Sequence, residues 1–252
     1  MRWGRVVPAF GIGLVLAGCS DVEEARLRAR ESALLVQTMV DLAPILQEIP
    51  VVTSAGAADE LAVGLRELPV TDPSCITTSV SGDDVGLTFS QCVVATSGES
   101  LDGQMTFEGL IGDGRSAAYE MQLGPLILEG RSMELGARFR VGEAKAWTLD
   151  AVGGIDRGQQ EVGGLFYVEG GPLRPDACMD LDVGAELNAA GSTSMAAKAT
   201  GCPGRCPVGG KVGLSWDRGT SAEFGYNGDQ VVVLRIAGTD EMVDFRLPCI
   251  NP

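Results

Sequence analysis

The chain of 252 residues contains no histidine. Without an imidazole it cannot form a Ser-His-Asp or Cys-His catalytic site, a histidine-based zinc site, or a histidine acid or base. Most hydrolase mechanisms are therefore excluded. Catalysis by paired carboxylates, as in glycosidases, stays open because 34 acidic residues offer many pairs.

Aromatic and basic residues are both scarce. Aromatic side chains make up 5% of the chain, which is few for a protein that stacks on sugar rings. The 34 acidic residues outnumber 19 basic ones, so the net charge is −15. A surface of this sign repels phosphate backbones, and the sequence has no run of Lys or Arg to offset the repulsion. We therefore expect no nucleic acid partner.

A long hydrophobic run is also missing. The apolar stretch of residues 6–16 follows Arg2 and Arg5, and it is shorter than the roughly 20 residues that a membrane-spanning helix needs. It ends in the sequence Leu16-Ala17-Gly18-Cys19. A basic start, a short apolar run and small residues before the cysteine predict a signal peptide. The motif resembles the lipobox of bacterial lipoproteins.

This resemblance implies that residues 1–18 are a cleaved signal peptide and that Cys19 is the lipidated N-terminus. Cys19 would carry a diacylglyceryl group and a third acyl chain, such as palmitate, on its amino group. More than one acyl chain is enough for stable anchoring to a membrane. Ser20 stands where an aspartate would retain a Gram-negative lipoprotein at the inner membrane. The resemblance therefore implies the outer membrane, with the body facing the periplasm or the cell surface.

Six further cysteines predict three disulfide bonds, because an exported chain meets an oxidising envelope. They are Cys75, Cys92, Cys178, Cys202, Cys206 and Cys249. The first two should meet at the open end of a hairpin that turns at residues 81–84. Pairing of Cys206 with Cys249 and of Cys178 with Cys202 is favoured next, with exchange of Cys202 and Cys206 left open.

The spacing Cys202-Pro-Gly-Arg-Cys206 is not that of a redox or zinc site. Thioredoxin-type motifs have two intervening residues, and a zinc site needs further cysteines or histidines at fixed spacing. We interpret the two cysteines as disulfide partners beside a Pro-Gly turn. No metal ligand set and no cofactor is expected. The segment from Cys206 to Cys249 also resembles the C-terminal ends of uncharacterised β-rich envelope lipoproteins, which implies no activity.

Residues 19–70 are predicted to form a helical pair. Ser20 and Glu23 match a capping box at the start of the first helix. Apolar residues recur at helical spacing as far as Ile49, with a kink or a restart expected near Pro44. A second short helix is predicted over residues 57–68.

Residues 71–252 are predicted to form a disulfide-bonded β domain, because alternating runs are separated by glycine-rich turns. The predicted strands are residues 85–90, 104–108, 118–123, 133–141, 145–150, 165–169, 211–216, 222–226, 231–236 and 243–247. Such short connections require antiparallel pairing. The predicted fold is α+β, mainly β: a helical pair followed by a large antiparallel meander as a curved sheet, a sandwich or an open barrel.

These observations favour a lipid-anchored envelope lipoprotein that is not an enzyme and acts as an interaction or structural module. Its expected partners are the membrane, through the anchor, and an envelope protein or an apolar ligand. The alternative is a carrier that encloses an apolar or lipid ligand in a curved sheet with a helical lid. A third hypothesis is an enzyme with carboxylate catalysis. Acidic pairs such as Asp83 with Asp84 and Asp180 with Asp182 match no calcium loop and are expected to be solvated.

Overall fold

Two α-helices and thirteen strands form the part of the chain that the computed structural model describes. The described residues are 13–53, 57–142, 144–158, 160–188, 191–216, 219–239 and 241–249, with the backbone alone for residues 13–20. The helices are α1 (Gly13–Gln47) and α2 (Ala58–Gly64). The strands are β1 (Ile76–Ser81), β2 (Asp84–Val93), β3 (Ser100–Gly112), β4 (Ser116–Leu128), β5 (Arg131–Gly142), β6 (Trp147–Arg157), β7 (Gln160–Gly170), β8 (Met179–Leu187), β9 (Thr193–Gly201), β10 (Gly209–Trp216), β11 (Thr220–Gly225), β12 (Val231–Ile236) and β13 (Met242–Arg246).

The strands make one sheet in chain order, and each pairs antiparallel with the next. This confirms the predicted fold class, and its form is a curved open sheet. Side chains alternate along the strands except at register shifts in β2, β3 and β4. In β8, for example, Met179, Leu181 and Val183 are buried while Asp180 and Asp182 are exposed. The sheet therefore has an apolar inner face and a polar outer face.

Helix α1 lies against the inner face of the sheet. Residues 31–47 of this helix are all buried, and the helix contacts strands on both sides of the curve, from β4 to β13. Its large apolar side chains, including Leu35, Met39 and Leu46, are fully buried in the same core as the inward residues of the strands. A helix that is buried on every side is part of a core rather than a surface layer.

Two glycines mark a very close approach of neighbouring strands at the middle of the sheet. Gly153 on β6 and Gly164 on β7 are register partners with φ angles of 148° and 153°. A Cβ atom added at these positions would lie 2.1 Å from the Glu134 carbonyl oxygen and 2.0 Å from that of Glu186. Only glycine fits such a contact, and it lets the sheet bend across β5 to β8 around the helix.

The helices differ from prediction at their ends. Helix α1 includes Gly13, so Ser20 lies inside it rather than capping it, and it continues through Pro44 to Gln47 without a restart. Pro44 is tolerated one turn before the end because tight packing holds the helix there. Helix α2 ends at Gly64, and a 3-10 turn over Leu65–Glu67 follows. Among the described residues, no helix is long and apolar enough to cross a membrane.

Strands β8 and β9 were missed by the sequence analysis, and β1 was only implied by the hairpin argument. β8 carries two aspartates on its outer face, and the inner face of β9 is built from Met195, Ala197 and Ala199. Alanine and aspartate are both uncommon in strands, so the β propensity of these segments did not predict strands. The period-2 alternation was the signal that could have found both strands.

Candidate functional site

The predicted lipidation site lies outside the described side chains. Residues 1–12 are not described, and the backbone of Cys19 is part of α1 while its side chain is not described. Lipidation of Cys19 therefore stays a prediction from the Leu16-Ala17-Gly18-Cys19 motif.

Three disulfide bonds join the other six cysteines. The Cα–Cα distances are 5.4 Å for Cys75–Cys92, 4.1 Å for Cys178–Cys202 and 5.0 Å for Cys206–Cys249. These are the pairs that the sequence ranking put first. The second and third bonds fix both ends of residues 202–206, which connect β9 to β10, and the third also holds the C-terminal segment after β13.

A buried polar cluster joins α1 to the connections between strands. We call it the seam cluster and define it as Gln37, Asp41, Glu99 and Arg131. Arg131 Nη1 donates to Asp41 Oδ2 at 2.6 Å, and Arg131 Nη2 donates to Glu99 Oε1 at 3.0 Å. Gln37 Nε2 donates to both Asp41 oxygens at 2.9 Å. A single guanidinium is thus shared by two carboxylates inside the protein.

The seam cluster also binds residues 202–206. The Gly204 amide donates to Asp41 Oδ1 at 2.9 Å, and Gln37 Nε2 donates to the Arg205 carbonyl oxygen at 3.1 Å. A Cβ added at Gly204 would lie 3.1 Å from the Ser97 carbonyl oxygen. Residues 94–100, which comprise the link between β2 and β3 and the first residue of β3, therefore pack directly against the disulfide-bonded connection from β9 to β10.

Burial, together with the neighbouring Asp41 carboxylate, raises the pKa of Glu99 to about 7. Arg131 and a hydrogen bond with the Ser97 side chain oppose this rise. A pocket of about 180 Å³ adjoins the cluster, with Glu129 and Arg157 among its walls. The site can bind or release a proton near neutral pH. Because both carboxylates bind Arg131, neither is left as a free nucleophile.

A second buried charge, Arg28, attaches the N-terminal half of α1 to the sheet. It donates to Glu24 Oε1 at 2.6 Å, to the carbonyl oxygens of Gly191 and Ser192 at 3.3 Å, and to Thr193 Oγ1. Its guanidinium also lies 5.2 Å from the centre of the Trp216 ring. Nearby, burial raises the pKa of Glu31 to about 7, and Arg28 opposes this.

The outer face of the sheet carries a groove of about 900 Å³ across β4 to β9. We call it the outer groove. Val152 and Leu165 are register partners at its centre, and they are 57% and 60% exposed. Gly136, the register partner of Val152 on β5, and Gly184 on β8 supply no side chain to fill it. The result is an exposed apolar strip on the outer face, where Ile127, Val231 and Val233 are exposed as well.

Charged side chains surround this strip. Glu120 accepts from Arg138 Nε at 3.0 Å and from Arg138 Nη2 at 2.8 Å. Asp150 on β6 lies 3.5 Å from Arg140 Nη1, and Glu186 on β8 accepts from Ser194 Oγ at 2.7 Å. The charged lining of the outer groove is thus three carboxylates and one guanidinium. Tyr167, which is 42% exposed, donates its hydroxyl to Glu169. This arrangement suits a ligand that is apolar in the middle and positive at its edges.

One of the acidic pairs considered for calcium is engaged elsewhere. Asp180 accepts from Thr200 Oγ1 at 2.7 Å and pairs with Arg174, and Asp182 lies 3.2 Å from Lys198 Nζ. Within the described ranges, no group of three or more His, Cys, Asp or Glu side chains is arranged to hold a metal ion.

Sequence reasoning missed both the seam cluster and the outer groove. Gln37 and Asp41 stand one helical turn apart within the apolar run of α1, and buried polar residues in such a run were the available signal. Comparison with known proteins gives no guide here, because no family model, no curated protein and no solved structure matches the chain.

Proposed function

We propose that this chain is a lipid-anchored lipoprotein of the cell envelope, without enzymatic activity, that binds a protein partner through its outer groove. The Leu16-Ala17-Gly18-Cys19 motif supports the anchor, and Ser20 favours the outer membrane. Three disulfide bonds are consistent with an exported protein, since such bonds persist in oxidising compartments.

The position of α1 is the observation that supports an interaction module most directly. The side of the sheet where a carrier would hold its ligand is occupied by this helix, whose residues 31–47 are all buried. A carrier would have to move the helix out and break the Arg131–Asp41 contact and the hydrogen bonds from Arg28 to residues 191–193. The outer face needs no such movement to accept a partner.

The outer groove favours a protein segment with apolar side chains flanked by basic ones. Val152 and Leu165 offer apolar surface at the centre, and Glu120, Asp150 and Glu186 make the lining acidic. A second copy of this chain carries the same net charge of −15 and would be repelled. Charge complementarity therefore selects a basic partner segment.

The anchor is tested by labelling cells with a radioactive fatty acid. The wild-type chain should incorporate label and Cys19→Ala should not, while Cys75→Ala serves as a control that removes a different cysteine. Equal labelling of wild type and Cys19→Ala would refute lipidation at this position.

The partner is tested by placing a photo-crosslinking amino acid at position 165 in cells, with position 233 on the outer face of β12 as the control. The expected product from position 165 contains a peptide of another protein with apolar residues next to Lys or Arg. A product with this chain itself, or no product that is specific to position 165, would contradict the proposal.

A further inference from the structure

We propose that the seam cluster is a proton-controlled latch: a proton on Glu99 keeps residues 94–100 docked against residues 202–206, and ionisation of Glu99 releases residues 96–99. This inference is independent of the anchor and of the outer groove. It rests on the charges, the hydrogen bonds and the connectivity at the seam cluster.

The charges favour a protonated Glu99 in the docked state. When Asp41 and Glu99 are both ionised, one guanidinium from Arg131 faces two buried carboxylates, and the cluster keeps one uncompensated negative charge. Glu129 adds a further negative charge from the turn between β4 and β5. The other cation at the pocket is Arg157 of β6, which donates to the Pro248 carbonyl oxygen of the C-terminal segment.

Two buried acceptors of the seam cluster also lack a donor. Glu99 Oε2 and Gln37 Oε1 are buried and accept no hydrogen bond. The Gln37 amide cannot be turned over, since its Nε2 faces the Asp41 oxygens and the Arg205 carbonyl oxygen, which are all acceptors. A proton on Glu99 converts one acceptor into a donor and removes the uncompensated charge in one step. Burial raises the pKa of Glu99 to about 7, which puts this step near neutral pH.

The connectivity determines which side moves. Residues 202–206 are fixed at both ends by the Cys178–Cys202 and Cys206–Cys249 bonds. The ends of residues 94–100 are fixed within the sheet, since Val94 bridges to Val70 and Ser100 pairs with Val93. The middle of the segment, residues 96–99, is held across the seam by the Glu99–Arg131 contact and by packing of Ser97 on Gly204. Loss of the docked arrangement therefore moves residues 96–99, while the disulfide-bonded side stays in place.

Hydrogen exchange of the full chain, read by mass spectrometry, tests the latch. Rates for residues 94–100 are corrected for the intrinsic effect of pH and compared between about pH 5 and about pH 9. From about pH 5 to about pH 7, the opening constant of the wild type should rise about tenfold for each pH unit, and above pH 7 it should level off, as linkage to one proton with a pKa of about 7 in the docked state requires. Glu99→Gln should stay protected throughout this range. Glu31→Gln, which removes the buried carboxyl near Arg28, should behave like the wild type.

The proposal is overturned if protection of residues 94–100 in the wild type does not change with pH, or if Glu99→Gln keeps the wild-type slope. A carbon-13 titration of the wild-type Glu99 carboxyl covers the case in which Glu99→Gln does not fold. A midpoint near 7 supports the latch, and a midpoint near the ordinary value of 4.5 overturns it.

Discussion

Arg131 donates to Asp41 at 2.6 Å, and this contact joins the first residue of β5 to the interior of α1. Both side chains are almost fully buried, at 3% and 2% exposed. The pair is one of the few polar contacts that fix the helix along its axis within the sheet. Its removal should therefore affect the whole molecule.

Replacing Arg131 with methionine should lower the free energy of unfolding by about 3–5 kcal/mol, because Asp41 and Glu99 would stay buried without a cation. Arg138→Met removes the exposed pair with Glu120 and should cost less than about 1 kcal/mol. Urea unfolding of both variants measures the difference. Equal losses of unfolding free energy would show that burial does not increase the contribution of the Asp41–Arg131 pair to stability.

Stability should fall as pH rises from about 4.5 to about 8. The pKa values of Glu31 and Glu99 are about 7 in the folded chain, against an ordinary value of 4.5, so the folded state binds more protons in this range. The contribution is fully present below 4.5 and is lost as pH rises through 7. We expect a loss on the order of 2 kcal/mol for each carboxyl. Urea unfolding should show a smaller loss in Glu31→Gln and Glu99→Gln, and a pH-independent stability would contradict this prediction.

The two disulfides with the most different loop lengths should contribute unequally. Cys206–Cys249 closes 43 residues and Cys75–Cys92 closes 17, so chain entropy predicts losses of about 4 and about 3 kcal/mol when each pair is changed to serine. Thermal unfolding of the two double variants provides the comparison. Free thiols at these cysteines in the oxidised wild type would refute the pairing itself.

The bend of the sheet should depend on Gly164. Gly164→Ala forces a Cβ to within 2.0 Å of a backbone oxygen at a φ of 153°, and a loss of about 3 kcal/mol or more is expected. At Gly184 nothing lies within 4 Å of an added Cβ, so Gly184→Ala should be nearly neutral. Circular dichroism melting curves distinguish the two. Tolerance of both substitutions would show that the sheet can bend without this close approach.

The sequence was sufficient to predict the meander, apart from β8 and β9, and the two helices, apart from their ends, because alternation and helical spacing are local. The Cys75–Cys92 pair could also be predicted from the sequence, since a short hairpin brings its ends together. The position of α1 inside the curved sheet could not be predicted from the sequence, because it depends on how much the sheet bends. The seam cluster could not be predicted either, because Asp41, Glu99, Arg131 and Gly204 come from four distant segments and meet only in the complete fold.

The mass of the first tryptic peptide from purified membranes tests the proposed anchored lipoprotein most directly. Cleavage before Cys19 predicts a peptide of residues 19–26 that begins at Cys19 and carries the mass of a diacylglyceryl group and an amide-linked acyl chain. An unmodified peptide of residues 6–26, with the Gly18–Cys19 bond intact, would contradict the account.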